Sequence, residues 1–302
     1  MQSLIEIIDK LARTDTSVLI TGETGTGKEL VGREIHKRSP RRDAPFIDIN
    51  CSAIPESLFE GEMFGHQRGS FTGAHETRVG LFEQASGGTL FFDEVDSLSP
   101  SSQAKLLRVL QERHLRRVGG RENIPVDVRI ISATNEDLQQ AVLRKQFRAD
   151  LLFRLRVFPL RIPSLRQRRE ELTFLAEQLL IREARKRGLS PRRFTPEAMR
   201  ILIEYDWPGN VRELENVIEF SLALGMSDLI GVEELPPDLT GRAFSPDAKA
   251  FNEFLSHRAS LAEVEECYIR AMLKELKGQQ NETARVLGID RRTLYRKLHL
   301  SE

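Results

Sequence analysis

The chain has 302 residues, 30% of them charged and 7% aromatic, with 45 Lys and Arg balanced by 45 Asp and Glu. Zero net charge excludes a polyelectrolyte that binds nucleic acid over its whole surface, so any such site must be a local patch. Cys51 and Cys267 match no metal-ligand spacing, no apolar run approaches the roughly 18 residues of a membrane helix, and the start lacks a signal-peptide pattern; the expectation is a soluble cytoplasmic protein of two or three compact units, with no membrane partner.

Leu4, Ile5, Ile7, Ile8 and Leu11 have helical spacing and lead into an apolar strand, Val18-Leu19-Ile20-Thr21. Gly22-Glu23-Thr24-Gly25-Thr26-Gly27-Lys28-Glu29 then spells a phosphate-binding loop. Glycines let backbone amides curl around an anion, the following helix offers its positive end, and Lys28 reaches the outer phosphates. Glu29 stands where a Ser or Thr usually holds Mg²⁺, so the metal needs another ligand. Phe46–Asn50 alternates as a second strand, and Asn50 at its end either approaches the site or forms a turn.

Gly69-Ser70-Phe71-Thr72-Gly73-Ala74 has neither helix nor strand period. Phe71 is either the tip of a mobile loop or a side chain folded back into the core. The apolar strand Thr89-Leu90-Phe91-Phe92 ends in Asp93 and Glu94, the first suited to holding Mg²⁺ and the second to orienting an attacking water. Ser102–Arg113 reads as a helix and Arg116–Gly120 as a turn. Val126–Ala133 is a strand that delivers Thr134 and Asn135, which can read a γ-phosphate or, for Asn135, cap the next helix. Arg148 and Arg154 flank an apolar helix; they can stabilise charge within the subunit or across a boundary, or simply pair with Asp150 or Glu94. Pro159 and Pro163 bracket a last strand.

From Leu165 the pattern is helical: Glu170 to Lys186, a helix opened by Thr195-Pro196-Glu197, and one from Val211 after the turn Trp207-Pro208-Gly209-Asn210. Arg212 could reach back to a nucleotide or lie on a helix surface. Residues 225–257 read as a linker. A helix from Leu261 to Leu276 follows, then one capped by Asn281 and one capped by Asp290, the last two joined by a glycine turn. That is a helix-turn-helix pattern, with Leu294 and Leu298 inward and Arg291, Arg292, Thr293, Arg296 and Lys297 toward DNA.

Taken together, these motifs resemble the sigma-54-dependent transcription activators, a branch of the AAA+ ATPases, over nearly the whole chain. The phosphate loop ending in Lys28-Glu29 matches that family's own form, and Gly69–Ala74 is similar to its GAFTGA loop, with Ser70 in place of Ala. The resemblance implies an α/β fold: an AAA+ P-loop parallel-sheet core (1–164), an α-helical lid (165–235), a linker (236–257) and a small all-α helix-turn-helix domain (258–302). It implies ATP and Mg²⁺ as ligands, with Gly22–Glu29 binding the nucleotide, Asp93 and Glu94 as the Walker B pair, and Asn50 as the switch linked to Glu94. Thr134 and Asn135 would be sensor I, and Arg212 would be sensor II. Arg148 and Arg154 would be arginine fingers acting on a neighbour's ATP in a homo-oligomeric, usually hexameric, ring. Partners would be sigma-54 RNA polymerase, through Gly69–Ala74, and double-stranded DNA upstream of promoters, with Arg116–Gly120 as a second loop supporting the first. The family usually carries an N-terminal regulatory domain, and here the chain begins almost at the ATPase.

Overall fold

The computed structural model describes residues 2–70, 75–190, 192–224, 228–240, 269, 272–273, 279–287, 289 and 294. They divide into two compact units, Met1–Pro191 with Ile203–Glu219, and Arg192–Leu202 with Phe220–Glu302.

The first unit is built on five parallel strands: β1 Val18–Thr21, β2 Phe46–Asn50, β3 Thr89–Asp93, β4 Arg129–Thr134 and β5 Phe158–Arg161. Their spatial order is β2-β3-β4-β1-β5. Alternate residues feed two cores. Leu19, Leu90, Phe92 and Ile130 are buried with Phe59 of α3 (Glu56–Phe64), Leu106 of α4 (Pro100–Glu112), Leu138 of α5 (Leu138–Leu143) and Leu151 of α6 (Ala149–Leu155). Val18, Ile20, Phe91, Ile131 and Leu160 are buried with Ile8 and Leu11 of α1 (Gln2–Ala12) and Ile35 of α2 (Lys28–Lys37). Each such side chain contributes about 1.5–3 kcal/mol by leaving water, so the sheet is fixed from both faces. Helix α2 lies flush on β3 at Gly32, where a Cβ would stand 2.6 Å from the fully buried Phe91 ring.

Some boundaries differ from expectation, each for a local reason. The Ser99 side chain accepts from the Ser102 amide, so α4 starts at Pro100, two residues early, with Pro in the first turn. Pro159 lies inside β5 rather than beside it, which the sheet tolerates because β5 is an edge strand paired only with β1. The helix expected from Glu170 is preceded by a 3₁₀ segment, Leu165–Glu171, whose non-helical Arg168 delays α7 to Leu172–Lys186. Helix α8 (Pro196–Glu204) belongs mostly to the second unit, and α9 (Asn210–Leu224) lies in the first up to Glu219.

Two short antiparallel hairpins complete this unit, Gly65–His66 with Arg78–Val79 and His114–Leu115 with Ile124–Pro125.

In the second unit, Leu229–Ile230 pairs in parallel with Arg193–Phe194, so part of the expected linker is a strand. Helix α10 is Gln280–Val286, entered through Gln279; Asn281 is inside it rather than its cap. Ile269, Ala284 and Leu294 are buried together, with Leu287 and Ile289 against them. Leu298 lies outside the described residues. Among the described residues, no helix is long and apolar enough to cross a membrane.

Candidate functional site

Four strand ends meet at one edge of the sheet. Strand β1 runs into Gly22, β3 into Glu94, β4 into Asn135, and the register sets Thr21 opposite Thr134 and Asn50 opposite Asp93. Parallel sheets place their ligand crevices at this carboxyl edge.

The loop after β1 has Gly25 and Gly27 at φ 76° and 92°, left-handed values that side chains resist. Gly27 is the N-cap of α2, and no side chain caps that helix, which leaves its first amides to an anion. The Lys28 Nζ donates to the Gly22 and Glu23 carbonyls at 2.9 and 3.1 Å. Burial lowers the Lys28 ammonium from its ordinary value, while Asp93, Asp96 and Glu94 pull it back up. Buried Thr26 closes the loop by donating to the Glu23 carbonyl at 2.8 Å. The Glu29 carboxylate accepts from Arg33 at 2.8 Å, and Arg33 also reaches Asp48 and covers the Phe46 ring; Glu29 borders the same cleft as Lys28 and Asp93.

Asp93 is half-buried, and burial raises its carboxyl above the ordinary range; the Glu94 amide, bonded to its Oδ1 at 3.0 Å, and the Lys28 ammonium act in the opposite direction. Glu94 has a left-handed backbone, φ 53° and ψ 48°, a conformation that costs a non-glycine residue on the order of 1 kcal/mol. A strained carboxylate beside a half-buried one, with a lysine nearby, is the arrangement expected where a metal-bound phosphate and a water must be held together.

Thr134 and Asn135, expected from the resemblance to act together as sensor I, have separate surroundings. Asn135 is exposed and donates to the Thr24 hydroxyl at 3.0 Å. Thr134 is fully buried; its hydroxyl donates to Asp96 at 2.5 Å and accepts from the Glu136 amide at 3.0 Å. Asp137, not Asn135, caps α5. The Asn50 side chain accepts from the Ser52 amide and hydroxyl at 2.9 and 2.7 Å, the turn-forming alternative.

Lys28, Asp93, Glu94, Asn135 and Arg212 line a single cleft of about 270 Å³. Arg182 of α7 and Glu215 of α9 border it and pair with each other at 2.7 Å. Arg148 and Arg154 are not brought there. Arg148 forms two bonds to Asp150, at 3.0 and 2.7 Å, and Arg154 donates to the Leu110 carbonyl at 3.2 and 2.8 Å. Arg154 instead lines a separate cavity with Arg41, Arg113 and the buried Arg129. Sequence reasoning missed Asp96, Arg166, Arg182, Asn210 and Glu215; the one available signal was the Pro-Gly-Asn turn immediately before Arg212.

The loop with its neighbour forms a second feature. Gly69, at φ 81°, and Ser70 sit between the strands of the first hairpin, and the Ser70 amide donates to the Gln67 carbonyl at 3.2 Å. The Gln67 amide donates to the Val118 carbonyl at 3.0 Å and the Val118 amide to the Gly65 carbonyl at 2.9 Å, which joins this hairpin to the Arg116–Gly120 turn. A Cβ at Gly119 would lie 2.7 Å from that of Ser70. Phe71, Thr72, Gly73 and Ala74, like Arg291, Arg292, Thr293, Arg296 and Lys297, lie outside the described residues.

A phosphate loop, a carboxylate pair two strands away in the sheet and helices carrying an arginine to the same cleft define an AAA+ P-loop protein. Family comparisons agree along the chain: residues 1–161 match the sigma-54 interaction domain, 166–250 the AAA+ ATPase lid domain, and 260–299 the bacterial regulatory protein, Fis family. The chain belongs to the sigma-54-dependent transcription activators, with the α/β core, lid and helix-turn-helix expected of them. It is 46% identical over 298 residues to the transcriptional regulatory protein ZraR of Salmonella typhimurium, covering 99% of this chain and 66% of that protein. It is likewise 46% identical over 294 residues to the nitrogen fixation protein AnfA of Azotobacter vinelandii, covering 97% of this chain and 54% of AnfA. Among solved structures it resembles NtrX from Brucella abortus in complex with ATP, with a TM-score of 0.78, 35% identity, and coverage of 99% of this chain and 66% of that one. The chain thus spans about two thirds or less of these relatives.

Proposed function

We propose that the chain is an ATP-hydrolysing transcription activator that binds upstream double-stranded DNA and remodels the sigma-54 RNA polymerase closed complex in the cytoplasm. The observation that carries this reading is the cleft where Lys28, Asp93, Glu94, Asn135 and Arg212 converge, in a chain whose first 161 residues match the sigma-54 interaction domain. The uncapped start of α2 and the glycine-lined loop suit a triphosphate, and half-buried Asp93 suits Mg²⁺. NtrX has been solved with ATP and with ADP, which supports a nucleotide here.

In this reading Lys28 and the loop amides bind the phosphates, and Asp93 holds the metal. Mg²⁺, when bound, neutralises charge on the transferred phosphoryl group. Glu94 orients the attacking water, and Asn135, through Thr24, registers the outer phosphate. Arg148 and Arg154 act on the site of the next subunit in a ring, exchanging their own-chain partners Asp150 and Leu110 for phosphate. Asn50 leaves Ser52 for Glu94 at one point of the cycle and passes nucleotide state to the Gly69–Ala74 loop, which engages sigma-54 through Phe71. Arg291, Arg292, Thr293, Arg296 and Lys297 bind DNA, and Arg291→Ala should weaken that binding while leaving ATP turnover intact.

The deciding experiment measures binding to purified sigma-54 with no nucleotide, with ADP, and with ADP plus aluminium fluoride. A complex seen only with the transition-state mimic is the expected result. Protein that turns over ATP yet forms no complex in any state would leave an AAA+ ATPase with another client.

A further inference from the structure

The outer lip of the phosphate loop is held by residues distant in sequence. The Asn210 side chain is fully buried and spans three partners. Its Oδ1 accepts from the Leu165 amide at 2.8 Å, while its Nδ2 donates to the Thr24 carbonyl at 3.0 Å and to Glu23 Oε2 at 3.2 Å. Because the Leu165 amide can only donate, it must face the amide oxygen, and the NH₂ group is thereby aimed at the loop. Arg166 grips the same Glu23 carboxylate through both of its terminal nitrogens. These Arg166 and Asn210 bonds hold the Glu23 carboxyl below its ordinary value. Beside them, the Val211 and Arg212 amides at the start of α9 both donate to the Gly25 carbonyl, at 2.9 and 3.3 Å.

Every hydrogen bond that α9 and its entry donate to the loop ends on the Thr24 or Gly25 carbonyl or on the Glu23 carboxylate. In a trans peptide the carbonyl and the following N–H point in opposite directions, and the structure contains no cis bond among the described residues. Tying down the Thr24 carbonyl therefore turns the Gly25 N–H away from α9, and tying down the Gly25 carbonyl turns the Thr26 N–H inward, where it donates to the Glu23 carbonyl at 3.4 Å. These amides belong to the loop that cradles phosphate in proteins of this type.

The approach is too close for any side chain. A Cβ at Gly25 would stand 2.2 Å from the Gly209 carbonyl. Asn210 itself takes a left-handed backbone, φ 53°, which Asn accepts more readily than most residues. The Glu213 carboxylate steadies the turn by accepting from the Gly209 amide at 2.7 Å and the Tyr205 hydroxyl at 3.1 Å.

We propose that Asn210 is a positioning residue for the phosphate loop: with the first amides of α9, it fixes the Thr24 and Gly25 peptide planes so that the Gly25 N–H faces an anion and the loop keeps its turn, and it thereby sets affinity for the diphosphate shared by ATP and ADP. This rests on the nucleotide-binding reading above.

The test is Asn210→Asp, which keeps the acceptor for Leu165 but replaces the donor facing Thr24 and Glu23 with a repelling oxygen. Titration of wild type and variant with ADP and with a non-hydrolysable ATP analogue should show both affinities falling about ten-fold, by a common factor. A fall for the ATP analogue alone would overturn the proposal, because the residue would then act through Arg212 on the γ-phosphate. Unchanged affinities with a lowered melting temperature would also overturn it and leave Asn210 as a strut of the fold. Wild type that binds neither ligand would instead remove the nucleotide-binding reading. Should the variant not fold, hydrogen exchange on wild type decides: ADP should slow exchange at the Val211 and Arg212 amides, and no change there refutes the coupling.

Discussion

Glu94 is held at a backbone angle its side chain disfavours, directly after a half-buried aspartate. Strain of this kind persists where neighbours enforce it, and here Ser97 does so by donating to the Glu94 carbonyl from its amide at 2.9 Å and its hydroxyl at 2.7 Å. Glu94→Ala should therefore retain ATP affinity within a few-fold and lose turnover by about 10²–10⁴-fold, read by nucleotide titration and phosphate release. Normal turnover would take Glu94 out of the water-orienting role. Ser70 makes a different case, since its hydroxyl is buried without a hydrogen-bond partner among the described residues. Leaving such a group unpaired costs on the order of 1–3 kcal/mol, so Ser70→Ala should hold or raise stability in denaturant titration and keep promoter opening. A clear loss of stability would mean that the hydroxyl has a role. Lys28, Asp93 and Glu94 were legible in the sequence because a glycine loop opening a helix and the end of a strand fix where they stand. Asn210 and Arg166 were not: they meet Glu23 across 187 and 143 residues, a distance that no local pattern encodes. Asp96 was hidden for a related reason. Thr134 was expected to face phosphate, but the turn after Glu94 brings Asp96 under it and takes up its hydroxyl.

At the level of elements, the five sheet strands could be read from apolar runs, whereas the two-residue ladders could not. Gly65–His66 and Arg78–Val79 are too short to show a period, and Leu229–Ile230 lies in a Gly- and Pro-rich stretch that reads as a linker. Yet the first hairpin is the base of the Gly69–Ala74 loop, and its contact with the second hairpin runs through Gly119, at φ 76° and without room for a methyl group. Gly119→Ala should push the two apart. We expect ATP turnover within about two-fold of wild type, as the residue is remote from the cleft, but a loss of sigma-54 binding in the presence of ADP and aluminium fluoride. Full binding by this variant would show that the loop does not depend on its neighbour.

For the molecule as a whole, the cleft and the two arginines proposed as fingers, Arg148 and Arg154, belong to different parts of the first unit, with Arg154 lining a cavity that shares no residue with the cleft. The ring proposed above, in which each subunit completes the next, would account for this division, and its faces would be heterologous. The consequence can be measured by mixing. Arg154→Ala subunits keep Glu94, and Glu94→Ala subunits keep Arg154; each preparation alone should be inactive, and an equal mixture should recover part of the turnover. A mixture as inactive as its components would place Arg154 outside the neighbour's site.

Gly32 carries a further consequence, for engineering. Replacing a mid-helix glycine by alanine is a routine way to stabilise a protein, worth about 1 kcal/mol of helix propensity. At this position the added methyl would wedge α2 away from the Phe91 ring. That contact lies four residues along α2 from Lys28 and two residues along β3 from Asp93, so it sets how far apart those two charges stand. Gly32→Ala should lower the melting temperature and the ATP affinity together. Thermostability and catalysis cannot be traded against one another here, because a single missing methyl group calibrates both.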